Sequence, residues 1–225
     1  MKKIVCALMA LALILPTAAL AADLEITQEA FYVTPFLNYY AGEIFCEVTN
    51  TSDRIMKITD GQFELYDADG ASLNSGSIYS IYPHTLGPGE KAYFSVTSGV
   101  KEATSAASID SYSVSVVGKP VDEKEPEYEV SDVRMEEKSG IIRGTRLAAT
   151  VTNNSEELPA QLYLTFAVFN GEGKLLFVTA SSSMGLALLP GNSGEMGMDI
   201  DRDIITALAD RGEEMASVVA IATGW

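Results

Sequence analysis

Val48-Thr49-Asn50-Thr51-Ser52-Asp53 and Val151-Thr152-Asn153-Asn154-Ser155-Glu156 are one phrase written twice, 103 positions apart (48 onto 151). The same shift lays Phe63-Glu64-Leu65-Tyr66-Asp67-Ala68-Asp69-Gly70 on Phe166-Ala167-Val168-Phe169-Asn170-Gly171-Glu172-Gly173. After a one-residue deletion, Pro88-Gly89 falls on Pro190-Gly191. Apolar, turn and glycine positions agree together, which is the signature of a repeated structural unit. The expectation is a tandem of two related domains.

Within each copy the hydrophobic period is two. Ile44, Cys46 and Val48 alternate with Glu43, Phe45 and Glu47, and their counterparts are Leu147, Ala149 and Val151. Leu162, Leu164, Phe166 and Val168 make a second alternating run, whose equivalent in the first copy is weakened by Thr59 and Gly61 and is expected to be bulged. Further strands are expected over Ser77–Tyr82, Lys91–Thr97 and Tyr112–Val117. Short strands between Asn, Asp, Gly and Pro clusters predict an antiparallel sandwich in each copy. Ile204, Ile205 and Leu208 share a helical face that Gly212 stops, and Lys101 to Ala107 is a weaker analogue. The fold class is therefore all-β: two immunoglobulin-like antiparallel β-sandwich domains, each with a short helix before its last strand.

Residues 1–21 read as a secretory signal: Lys2-Lys3, an apolar run from Ile4 to Leu15, and a small-residue cleavage site at Ala19-Leu20-Ala21. The apolar run is too short for a good membrane span. Domain 1 is then 22–118, the linker 119–126 and domain 2 127–225. The linker is charged and proline-flanked, and is expected to be extended and solvated. Cys6 leaves with the signal and Cys46 stands alone, so export without a disulfide puts stability on the hydrophobic core.

The chain has 31 acidic and 15 basic residues. Loss of Lys2 and Lys3, with no acid in the signal, takes the formal net charge from −16 to −18. That field opposes nucleic acid and anionic lipid.

Phe63-Glu64-Leu65-Tyr66-Asp67, with Asn50-Thr51-Ser52-Asp53 upstream and Leu86-Gly87-Pro88-Gly89-Glu90 downstream, resembles the FxLYD family of bacterial extracytoplasmic domains. The resemblance covers most of domain 1. Domain 2 is a diverged copy, with Val168, Phe169 and Asn170 at the Leu, Tyr and Asp positions. It implies an immunoglobulin-like sandwich on exported proteins of mostly Gram-positive bacteria, with no established enzymatic activity.

Candidate chemistry is sparse. Asp60, Asp67 and Asp69 suggest calcium, but the loop lacks an EF-hand's length and closing Glu, and the second copy loses Asp67, so a hairpin turn is the better reading. His84 is the only histidine and has no nucleophile elbow near it. Cys46 sits on an apolar strand face and has Ala149 as its counterpart in the second copy, which suggests a small buried side chain, as free thiols usually are. Paired carboxylates for glycoside hydrolysis would need a cleft, which two sandwiches on a flexible linker do not offer. Asn50-Thr51-Ser52 and Asn153-Asn154-Ser155 match a glycosylation acceptor pattern but read as turn chemistry.

Aromatics carry the functional signal. Phe31, Tyr32, Phe36, Tyr39 and Tyr40 crowd the first segment, with Tyr79, Tyr82 and Tyr93 later in domain 1, whereas domain 2 has only Tyr128 and Tyr163 among its tyrosines. Two explanations follow: an aromatic recognition surface using Tyr39, Tyr40, Tyr79 and Tyr82, or packing of the leading segment as an extra strand. The expected function is that of an exported, non-enzymatic binding or structural module, without cofactor or metal, at the cell envelope or outside the cell. Its expected partner is an envelope or extracellular protein or a glycan. A carbohydrate-binding accessory protein and a protein assembly component using sheet edges are the alternatives.

Overall fold

The asparagine third in each repeated phrase, Asn50 and Asn153, is built into the fold in the same way twice. Asn50 is buried, donates from Nδ2 to the carbonyls of Arg54 (2.7 Å) and Leu86 (2.8 Å), and accepts from the Ser52 amide (3.0 Å) and hydroxyl (2.8 Å). Buried Asn153 donates to Leu188 O (2.7 Å) and accepts from the Ser155 amide (2.9 Å) and hydroxyl (2.7 Å). The Gly89 and Gly191 amides bond the two asparagine carbonyls. The turns at Asp67 and Asn170 match likewise: each side chain accepts from the amides two and four residues on, and Gly70 and Gly173 have φ of 79° and 78°. Polar side chains hold the loops here because a buried amide left unpaired is costly.

The computed structural model describes residues 23–138, 144–156, 158–184 and 188–224. The segment 1–21 read as a secretory signal, with Cys6, lies outside them. The chain is all-β and antiparallel. The N-terminal half contains β1 (Leu24–Phe36), β2 (Tyr39–Asn50), β3 (Met56–Tyr66), β4 (Ser72–Ser77), β5 (Thr85–Leu86), β6 (Lys91–Val100) and β7 (Ser111–Pro120). The C-terminal half contains β8 (Glu127–Lys138), β9 (Gly144–Thr152), β10 (Gln161–Phe169), β11 (Leu175–Met184), β12 (Ser193–Asp199) and β13 (Ser217–Gly224). A 3-10 turn at Ala106–Ser108 precedes β7, and helix α1 (Arg202–Asp210) precedes β13. Asp201 caps α1 by accepting from the Asp203 amide at 2.8 Å, and Gly212 follows it at φ 66°.

In the N-terminal half β1-β2-β6 form one layer, while β3 pairs with β4, β5 and β7 in the other. In the C-terminal half the order is β11-β10-β13-β8-β9-β12, so β8-β9-β12 repeats β1-β2-β6 and β11-β10-β13 repeats β4-β3-β7. Both halves are β-sandwiches with the immunoglobulin-like division of strands between layers. The weak stretch at Thr59 is a bulge: the β3–β7 register shifts between Ile58 and Asp60.

Two expectations need correction. The strand placed at Ser77–Tyr82 ends at Ser77; the chain then leaves the sheet, and Tyr82 makes an isolated bridge to Tyr93. The linker is not free: the Val121 amide bonds Ile55 O, the Glu125 amide bonds Thr85 Oγ1, and Lys124 and Glu125 pair with Glu90 (2.6 Å) and Lys57 (2.8 Å). The face of β2 opposite the core, carrying Phe45 and Glu47, is also buried.

That last point shapes the molecule. One apolar core, with Ile44, Cys46, Leu65 and Phe94, lies within the N-terminal sandwich. The other runs through the C-terminal sandwich and takes in Ala30, Tyr32, Phe45 and Tyr93 from the N-terminal half. The halves are fused by a hydrophobic joint.

Candidate functional site

The joint is where the aromatic residues meet. Phe45 meets Phe177 edge-on (6.4 Å between centroids), Tyr93 meets Phe169 (6.3 Å), and Tyr82 stacks on Tyr163 (4.7 Å, 19°). The Arg211 guanidinium lies 4.3 Å over the Tyr32 ring, and the Leu175 amide donates to Gln28 Oε1 at 2.8 Å. Glu47 is buried on the same face and accepts from Thr27 Oγ1 (2.8 Å), Lys91 Nζ (2.9 Å) and Tyr93 OH (3.2 Å). A buried carboxylate persists only when satisfied in this way. Burial, then the Glu47 charge and hydrogen bond, pushes the Tyr93 phenol well up.

Of the four tyrosines expected to bind a ligand, Tyr82 is corrected: it is 5% exposed, its face is covered by Tyr163, and burial followed by that neighbour pushes its phenol up to about 12. Tyr39 and Tyr40 are half-buried, and Tyr39 packs beside Phe36 (5.3 Å) under a hairpin tip where Leu37 is 90% exposed. Tyr79 is 82% exposed. The structure does not gather these rings into one platform.

Other candidates fall into structural roles. Asp67 accepts two amide hydrogens within its turn, and among the described residues no group of three or more His, Cys, Asp or Glu side chains could hold a metal ion. His84 packs its ring 5.1 Å from Tyr82 in a small cleft of about 190 Å³ with Glu125, Pro126, Thr223 and Gly224. Burial lowers its pKa, Glu125 opposes and Lys57 adds to the lowering. Cys46 is buried in the N-terminal core, away from that cleft, and burial pushes its thiol far up. It should be inert to Ellman's reagent in the native protein and react fully in guanidinium; rapid native reaction would place it outside the core.

Two further clefts follow the joint. One, of about 270 Å³, is lined by Glu43, Phe45, Phe177, Met198, Asp201 and Ile204. Burial pushes the Glu43 carboxyl up, the Thr34 hydroxyl bonded at 2.6 Å opposes, and Asp201 and Asp203 across the joint add to the rise. A group titrating higher when folded contributes stability below its unfolded pKa, and loses that contribution as pH rises through the folded one. Glu43→Gln should therefore melt above the wild type at pH 7 but not at pH 4; an equal difference at both pH values would refute the charge argument.

The larger groove, about 500 Å³, lies where the two halves meet. One wall is Pro83, Gly89, Glu90, Lys91 and Tyr93; the other is Tyr128 and Val130 of β8 with Val219 to Ala222 of β13. Two sandwiches on a flexible, solvated linker offer no such cleft; a groove between the halves exists only because the linker is pinned. Four consecutive β13 residues line it although successive side chains of a strand point to opposite faces, so the groove follows the strand's edge. Among the described residues no helix is long and apolar enough to cross a membrane.

No family model matches the chain, and no curated protein matches it. A crystal structure of red sea bream transglutaminase aligns over 79% of this chain and 27% of its own, with 11% identity and a TM-score of 0.24. The chain thus spans about a quarter of that protein's length, and a likeness this weak carries no argument.

Proposed function

We propose that this chain is an exported, non-enzymatic binding module, a tandem of two FxLYD-like domains acting outside the membrane as one rigid body. The groove along the joint is its recognition site. The observation that carries the reading is a cleft of about 500 Å³ walled by both halves. Clefts at domain joints are the usual place for ligands, and a pinned joint presents both walls without first ordering them. The matching asparagine and turn geometry supports the tandem reading.

The test is capture of envelope proteins and wall glycans by the chain from Ala22 onward. Loss of a captured component with Val219→Lys, and its retention with Tyr79→Ala, supports the groove. The reverse pattern overturns it in favour of glycan binding by exposed tyrosines, and no retention on any envelope fraction overturns envelope binding altogether.

A further inference from the structure

The groove's β13 wall is an unfinished sheet. β13 pairs with β10 from Ser217 to Gly224, but with β8 only at Ala222 and Thr223. The cause lies in β8. Its pairing with β9 shifts between Ser131 and Arg134, and Asp132 takes φ 50° there. The Arg134 guanidinium holds that bulge by bonding the Asp132 carbonyl (3.1 Å) and carboxylate (2.6 Å). A bulge bends its strand, so β8 turns away and leaves the Ser217–Ile221 edge without a strand partner among the described residues.

In the equivalent seam of the N-terminal half β1 and β7 form no ladder either, but side chains fill it. Leu24 of β1 packs against Gly118 of β7, where a Cβ would leave it no room, and the Phe31 and Tyr112 rings lie 4.7 Å apart. The open edge also lacks the usual protection. Ser217–Gly224 carries no charge and no proline, and Val219 is 43% exposed. Natural proteins blunt such edges with charge, proline or a covering element unless the edge is used.

We propose that the free edge of β13 takes up an extended, basic polypeptide segment as an added strand. This rests on the groove being the recognition site. An unpaired row of amides and carbonyls is complemented best by another backbone. The five free residues span about 17 Å at the rise of a strand. The charge follows from the formal −16 of the chain, which draws cationic segments and repels acidic ones.

The experiment uses the chain from Ala22 onward and two probes: a decapeptide of alternating lysine and valine, and the same peptide with every backbone amide N-methylated. Strand addition predicts that the first binds by fluorescence anisotropy, that N-methylation weakens binding about tenfold or more, and that exchange slows in the complex at those amides of 217–221 that point away from β10. Val219→Lys should weaken binding similarly while leaving the melting temperature in place. Equal binding of both peptides, binding without protection at 217–221, or no binding of either overturns the proposal. If an envelope component is captured through the groove but leaves those amides exchanging freely, the site stands and strand addition falls.

Discussion

Asn50→Ala lowers the melting temperature by roughly 6–12 °C, from a loss of about 3 kcal/mol in a chain of this size. The side chain ties the loop after β2 to β5: it donates to Arg54 O and Leu86 O and accepts from Ser52. Alanine removes all of these and leaves the Leu86 carbonyl, in a fully buried residue, without that donor. An orphaned buried acceptor costs about 1–3 kcal/mol, and the lost turn bonds to Ser52 add to it. Asn50→Asp does not rescue, because a carboxylate offers the carbonyls no hydrogen. Asn153→Ala behaves alike, since Asn153 holds Leu188 O and Ser155 in the same way. A fall of less than about 2 °C for either alanine variant, by calorimetry at pH 7, would refute the account.

Phe45→Ala uncouples the two halves. Phe45 is buried but faces away from the N-terminal core, against Tyr32 (5.9 Å) and Phe177. Removing a buried phenylalanine costs about 3–5 kcal/mol, and here the loss falls on the joint rather than within either sandwich. The expected result is a calorimetric trace that splits from one transition into two, with faster cleavage at Glu123 and Glu125 by a glutamate-specific protease. The inner-face change Ile44→Ala should instead lower the N-terminal transition directly. One unshifted transition for Phe45→Ala would show that the joint does not couple the halves.

The inner architecture was readable because its causes are local. Alternation at Ile44, Cys46 and Val48 marks a face, Gly70 and Gly173 mark turns, and Ile204 with Leu208 marks the buried side of α1. The joint was not readable, for a physical reason. Glu43, Phe45 and Glu47 look like a solvated face because two of the three are acids, and alternation does not say what covers the second face. The surplus of domain 1 aromatics was the available signal. It is compatible with an exposed surface or with an extra strand; the leading segment is indeed a strand, β1, and Tyr32, Tyr82 and Tyr93 pack between the halves. The linker misled in the same way: a charged run reads as solvated unless its partners, here Lys57, Thr85 and Glu90, are known.

The open edge of β13 was hidden for a further reason. Ser217-Val218-Val219-Ala220-Ile221 reads as an ordinary strand, and only the β8 bulge leaves its edge unpaired. A strand's sequence describes its two faces; what lies along its edges is decided elsewhere in the chain.

The ion cluster around Arg134 has a consequence beyond the bulge. The layer β8-β9-β12 occupies the place in its sandwich that β1-β2-β6 occupies in the first, yet where the first carries Glu47 and Tyr93 for packing it carries Arg134 and Arg146 paired with Glu195 at 2.6 and 3.3 Å. In a solenoid a polar outer face is what ends the stack, because a further repeat would have to strip charges of water with no apolar area in return. That layer acts as a coping stone: it presents paired charges in place of the apolar face that welds the first sandwich to the second.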